Sequence, residues 1–308
     1  MGIGEVRWAL VDGGNIVEAR IILEGIVPAG CIIEAQLIDV GRNGRNAVAV
    51  ADDQEYLLPE APPGVSQGAY FTLEVTREKI PGLEPWKRPL GRAARADFIG
   101  NEACGQTVAM PAENRLGDAG WDELIEEARS GIIRFPGGEL RVSLTPAMTL
   151  IDVDGTLPPS ELALAGVRAA AHAIRRHGIG GSIGIDLPTV AGKSQRNAVG
   201  EAIDAVLPKP FERTAMNGFG FVQIVRPRRH ASLFELAADH AAFEARALLR
   251  RAMLEPAGAK RLVAHPAVAA VLENKPKWLE ALARQVGGAV GLRVDAALPI
   301  SGAYAESA

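Results

Sequence analysis

Two carboxylates delivered by apolar runs are the first chemistry this chain offers. Met148-Thr149-Leu150-Ile151-Asp152-Val153-Asp154 and Ser182-Ile183-Gly184-Ile185-Asp186-Leu187-Pro188 each bring an aspartate to the point where a buried strand would emerge into solvent. Asp152 and Asp186 stand 34 positions apart, with one helix-patterned stretch between them. The expectation is two neighbouring parallel strands whose aspartates face one crevice. Such a pair suits a hard divalent cation, magnesium or manganese in its place, which keeps several waters and takes one or two protein carboxylates plus a substrate phosphate. A cation held there activates water and neutralises charge developing on a phosphodiester. The competing reading is that each aspartate caps the helix that follows it.

The elements that would hold these aspartates follow an α/β rhythm. Residues 132–135 and 139–144, joined by Pro136-Gly137-Gly138, read as a hairpin, and 148–153 as the strand carrying Asp152. Pro158-Pro159-Ser160 opens a helix with Leu164, Val167, Ala171 and Ile174 on its apolar face. Arg175, Arg176 and His177 fill its last turn, where cations suit the helix dipole, and Gly178 ends it. Gly180-Gly181 then leads into a strand over 182–185. A helix over 194–206, a strand over 220–225 and a long Ala-rich helix over 232–254 follow, the last closed by Pro256-Ala257-Gly258. The tail carries a helix around 277–286 and a strand over 291–295.

The first half is β-rich. Residues 5–24 read as a hairpin around Asp12-Gly13-Gly14-Asn15, and short strands at 31–40, 46–51, 55–58 and 70–77, separated by Gly and Pro turns, suggest a small barrel. Tyr56, Tyr70 and Phe71 are either core residues or a surface on which bases stack, Tyr56 being the first choice for the latter. From 81 the text changes to a positively charged linker carrying Lys87, Arg88, Arg92 and Arg95, either a solvated loop or a phosphate-contacting strip. A short acidic helix over 121–128, capped by Asp118 or Asp122, follows it. The linear division is 1–80 β-rich, 81–117 linker, 118–256 α/β and 257–308 a small α/β appendage.

Length and composition bound the rest. The 308 residues are 48% apolar and 23% charged, with 34 Gly and 20 Pro, which favours a turn-rich folded protein over disorder. A formal charge of −4 means that a polyanion would have to be met by a local patch. Cys31 and Cys104, without metal-binding spacing, read as reduced thiols of a cytoplasmic protein. Neither a leader pattern nor a membrane-length apolar run is present, so no membrane partner is expected.

Two family resemblances attach to these motifs. Ile151-Asp152-Val153-Asp154-Gly155-Thr156-Leu157 is similar to the nucleophile motif of haloacid-dehalogenase-type phosphatases, which would make Asp152 the nucleophile. The downstream acidic pair of that family is missing, however. A wider stretch resembles the ribonuclease E/G family. Its segments are Arg134-Phe135-Pro136-Gly137-Gly138-Glu139, then 145–154 with Ile151-Asp152-Val153-Asp154, a helix, Gly180-Gly181, Ile185-Asp186-Leu187, Gln195-Arg196, and Gly218-Phe219-Gly220-Phe221 leading to Arg226-Pro227-Arg228. Order and spacing agree from about 132 to 230. Glu5-Val6-Arg7-Trp8, Glu55-Tyr56-Leu57-Leu58-Pro59 and His265-Pro266-Ala267-Val268 extend the likeness towards both ends.

That resemblance implies an α+β chain with an OB-type RNA-binding barrel inserted near the start, a DNase I-like catalytic domain and a small C-terminal domain. It implies an endoribonuclease of single-stranded RNA, with Asp152 and Asp186 as magnesium ligands and Asp154 where the family has an asparagine. Ionised aspartate cannot donate a hydrogen bond to phosphate as asparagine does. Lys193, Arg226, Arg228 and Arg229 are the expected phosphate clamps, unless the 226–229 cluster is simply solvated; arginine suits the role because its planar fork pairs bidentately with phosphate. The family's zinc-sharing cysteine pair and five-prime-end sensor have no counterpart, so little dependence on a five-prime monophosphate and at most a homodimer are expected. A third reading is a non-catalytic RNA-binding module.

Overall fold

The structure is a computed structural model and describes residues 2–81, 87–95 and 115–308. The chain is mixed α+β: a closed five-stranded β-barrel near the N-terminus is followed by mixed α/β sheets. Strands β1 (Glu5–Asp12) and β2 (Asn15–Leu23) form the opening antiparallel hairpin, with Gly13 and Gly14 supplying the two positive φ angles of its turn.

The barrel comprises β3 (Ile32–Asp39), β4 (Arg45–Ala51), β5 (Gln54–Glu60), β6 (Tyr70–Arg77) and β7 (Leu90–Ala93), joined in the order β3-β4-β5-β7-β6 with β3 closing on β6. The β5–β7 pairing is parallel and the others antiparallel. Alternate positions point inward, so Leu37, Ala47, Ala49, Leu58, Leu73 and Val75 make a sealed interior. Strand β7 corrects the reading of 81–117 as linker. Four residues behind Pro89 carry no alternation to announce a strand. Its Gly91 is required by packing, since a Cβ there would lie 2.8 Å from Leu73 Cδ2.

Helices α1 (Arg115–Asp118) and α2 (Trp121–Ser130) follow. Neither Asp118 nor Asp122 caps α2; that position belongs to Gly120 in the left-handed region. Next comes a six-stranded sheet of β8 (Ile132–Phe135), β9 (Gly138–Leu144), β10 (Thr149–Gly155), β11 (Gly181–Asp186), β12 (Glu212–Arg213) and β13 (Phe221–Arg226), ordered β12-β13-β11-β10-β9-β8. Only β10 and β11 run parallel, across the crossover helix α3 (Pro159–Arg176). Helices α3 and α4 (Lys193–Val206) lie together, and α3 covers the apolar face of the sheet, which carries Leu140, Ile151, Ile183, Ile185 and Ile224. Gly166 lets α3 approach closely; a Cβ there would sit 2.3 Å from Val153 Cγ1.

The expected long helix over 232–254 is two helices, α5 (Leu233–Ala237) and α6 (His240–Leu254). The break falls where Asp239 accepts a hydrogen bond from Ala242 N and so caps α6. The chain finishes with β14 (Lys260–Ala264), α7 (Pro266–Glu273), α8 (Pro276–Val286), β15 (Val290–Val294) and β16 (Tyr304–Ser307), the strands ordered β15-β14-β16. Leu248, Leu249, Leu262, Val268, Leu272 and Leu282 form the core of this region.

Contacts divide the chain into two compact units, each discontinuous: Met1–Glu24 with Val108–Gly131 and Leu233–Ala308, and Gly25–Thr107 with Ile132–Ser232. These cut across the linear division at 80, 117 and 256. Cys31 is disulfide-bonded, which corrects the expectation of reduced thiols and removes the cysteine argument for a reducing compartment; Cys104 lies outside the described residues. Among the described residues no helix is long and apolar enough to cross a membrane.

Candidate functional site

Asp152 and Asp186 are direct register partners on the parallel strands β10 and β11. Adjacent strands lie about 4.8 Å apart, so both side chains rise side by side from one face. Asp186 is the last residue of β11, whereas β10 continues past Asp152 to Gly155. The row extends across the sheet: Arg141 on β9 faces Asp152, and Phe221 on β13 faces Asp186. Two residues further along, Asp154 faces Glu139. This face is opposite the one under α3, and Arg141, Asp152, Asp154 and Asp186 are all exposed on it.

The electrostatics of this patch are dominated by like charge. Partial burial pushes the Asp152 carboxyl above its ordinary range, and repulsion from Asp154 and Asp186 pushes it further; the backbone N–H of Val153 and the Arg141 guanidinium oppose the shift. Arg141 is shared. It pairs with Glu139 and stands 3.8 Å from Asp154 Oδ2. Among the described residues no group of three or more His, Cys, Asp or Glu is arranged to hold a metal ion, so Asp154 does not complete a ready-made cage with Asp152 and Asp186. Two oxygen-donor groups whose mutual repulsion a cation would relieve do fit magnesium, whose remaining ligands are commonly water and phosphate.

The edge where β11 ends is built by two loops. Residues 187–192 lead from Asp186 to Lys193, the exposed first residue of α4, and the Arg196 guanidinium pins that loop by donating to the carbonyls of Val190 and Ala191 at 3.1 and 3.0 Å. The turn 217–220 between β12 and β13 lies against it, with Leu187 N donating to the Gly220 carbonyl at 3.1 Å. Phe219 stands at its tip, 86% exposed.

The structure brings Asp152, Asp154 and Asp186 together on one face and leaves Lys193 at the edge beyond Asp186. It does not bring the arginine cluster there. Strand β13 runs antiparallel to β11, so Arg226 pairs with Gly181 at the opposite end, five register steps or about 16 Å from Asp186. Arg226 donates to the carbonyls of Ile174 and Ile179, the Arg228 backbone and stem lie against Gly180 and Gly181, and the Arg229 carbonyl accepts from Glu78 N. The expectation that Arg226, Arg228 and Arg229 clamp phosphate at the aspartates is therefore corrected; strand direction carries them away. Tyr56 is corrected too. At 2% exposure in the barrel interior, it offers no ring face to a base. Of the linker cations, Arg92 is held bidentately by Glu74 and Arg88 stands 3.0 Å from Glu55.

The reading from residues missed Arg141, Glu139 and Phe219. The first two were signalled by the polar alternation Glu139, Arg141, Ser143 along β9. For Phe219 the only signal was an aromatic between two glycines. Compared with known proteins, the chain matches no family model and no curated sequence.

Proposed function

We propose that this chain is a metal-dependent endoribonuclease of single-stranded RNA. The observation that carries the reading is the exposed register pair of Asp152 and Asp186 at the sheet's one parallel junction. The pair supplies the one or two carboxylates that a magnesium ion bound through substrate phosphate requires, and with that ion bound the site gains water activation and neutralisation of phosphodiester charge. Asp152 and Asp186 hold the cation, Arg141 keeps Asp154 and Glu139 partly neutralised, and Lys193 meets the phosphate backbone at the edge beyond Asp186.

The barrel supports the RNA part of the reading. Its strand order, β3-β4-β5-β7-β6 with β5 and β7 parallel, supports reading it as the OB type, whose ligand surface lies on the second and third strands and the loops joining strands one to two and four to five. The first of these loops carries Arg42 with Arg45 beside it, and the second carries Lys79, Lys87 and Arg88. Acidic Glu34, Asp52 and Asp53 instead line a recess of about 670 Å³ with Tyr70. Single-stranded RNA would follow the cationic loops.

The test is cleavage of end-labelled single-stranded RNA with magnesium, or with chelator, alongside turnover of a chromogenic phosphate monoester. Internal cuts that need magnesium and disappear in both Asp152→Asn and Asp186→Asn are expected. Monoester turnover without RNA cleavage would put a haloacid-dehalogenase-type phosphatase in its place, and RNA binding without cleavage a non-catalytic module.

A further inference from the structure

We propose that Phe219 is a platform on which a nucleobase of single-stranded RNA stacks beside the Asp152–Asp186 pair. The inference rests on the RNA-cleavage reading above and adds to it the residue that positions the strand. Phe219 is the most exposed of the large hydrophobic side chains among the described residues, and such a ring forgoes the gain that burial would bring. Its backbone is firmly held. Asn217 Oδ1 accepts from Phe219 N at 2.9 Å and from Phe221 N at 3.0 Å, and Asn217 N donates to the Phe221 carbonyl at 3.0 Å.

The turn is also strapped to the chain leaving Asp186. Thr189 Oγ1 donates to the Phe219 carbonyl at 3.4 Å, and Gly220, with φ 93°, lies so close that a Cβ would stand 2.1 Å from the Leu187 carbonyl oxygen. Phe219 is two residues from Phe221, the register partner of Asp186, and because the chain turns between them it lies no further than about 7 Å from that position, within the scale of one nucleotide step. A backbone held by these hydrogen bonds, presenting a bare aromatic ring at the loop edge where the chain leaves Asp186, suits stacking, which tolerates any base because every base has a π face. The ligand is thus an unpaired base flanking the phosphate held at the aspartates, and duplex RNA, whose bases are already stacked, fits poorly.

The experiment separates binding from cleavage. In chelator, where no cutting occurs, affinity for dye-labelled single-stranded oligonucleotides is measured for wild type, Phe219→Ala, Phe219→Leu and Phe219→Trp. Loss of about tenfold or more is expected for Ala and Leu, with Trp retaining affinity and showing fluorescence quenching on RNA beyond that of the wild type. Unchanged melting of Phe219→Ala shows that folding is not the cause. With magnesium, Phe219→Ala should raise KM more than it lowers kcat. An Ala variant that binds and cuts as wild type overturns the platform while leaving the nuclease reading intact, and a Leu variant that binds as wild type overturns stacking. Quenching of Phe219→Trp in a protein that never cuts RNA keeps the platform and removes the nuclease.

Discussion

In the unit that joins both terminal segments to the segment holding Trp121 and Arg129, Glu5 and Glu244 are buried carboxylates matched by arginines; on the six-stranded sheet of the other unit carboxylates are exposed and in excess. Glu5, 4% exposed, receives the Arg7 guanidinium on one oxygen and Arg246, 3.2 Å away, on the other, while Arg7 also lies over the Trp121 ring at 5.3 Å. Glu244, 2% exposed, is held bidentately by Arg129. On the sheet, Glu139, Asp152 and Asp154 gather around Arg141, and Asp186 stands one strand beyond Asp152. The difference separates two uses of ionic groups. Buried pairs repay their desolvation only when every lone pair is met, whereas an exposed excess of carboxylate costs little in stability and leaves an attraction for cations.

The largest expected effect breaks the first half of this contrast. Glu5→Ala strands Arg7 and Arg246 and should destabilise the protein by about 3–5 kcal/mol in urea unfolding. Asp186→Ala, equally the loss of one carboxylate, should stay within about 0.5 kcal/mol. Equal losses would sink the distinction. A double variant, Glu5→Met with Arg246→Met, sharpens it further, because replacing buried charges by apolar volume should recover much of the loss.

A middle-sized effect concerns arginines that sequence alone assigns to phosphate. Arg226 donates to the Ile174 and Ile179 carbonyls near the end of α3, so Arg226→Ala should cost about 1–3 kcal/mol of stability while leaving RNA affinity nearly unchanged. Lys193→Ala should do the reverse, weakening RNA binding and flattening its salt dependence with no shift in melting. Affinity lost in Arg226→Ala at a temperature where the variant remains folded would return that residue to the substrate site.

The two arginine roles also show what could be read from residues alone. The pairing of Asp152 with Asp186 was legible because each follows an apolar run and a well-signalled helix with Pro at its start and Gly178 at its end separates them. The hairpin around Gly137 and most barrel strands were legible from alternation and turn residues. Strand direction was not: nothing in Phe221–Arg226 says that it runs back along β11 and removes Arg226 from Asp186. Nor did Tyr56 declare which way it points, since a strand places alternate residues on opposite faces and the register decides the choice. β7 and the break at Asp239 depend on a close fit and a cap, and neither leaves a periodic trace.

The smallest effect sets two aspartates of one unit against each other. Arg213 holds Asp204 with two hydrogen bonds, at 3.0 and 2.6 Å, and its carboxyl below the ordinary range; Asp152 is held above it by partial burial and by Asp154 and Asp186, with Arg141 opposing. A lowered carboxyl contributes stability that is present above the unfolded pKa, about 3.9, and lost as pH falls through the folded value. A raised one acts oppositely: its contribution is present below the unfolded pKa and lost as pH rises through the folded value. In chelator at pH 7, Asp204→Asn should therefore lose stability, by about 1 kcal/mol at most because the pair is solvated, while Asp152→Asn gains slightly. Both differences should shrink towards pH 3 as the wild-type carboxylates protonate. Magnesium sharpens the contrast, because a cation bound to the folded state stabilises it by mass action. Wild type should then rise in melting temperature relative to Asp152→Asn, and Asp204→Asn should rise with it. A magnesium response as large in Asp152→Asn as in wild type would show that the cation is not held by this pair.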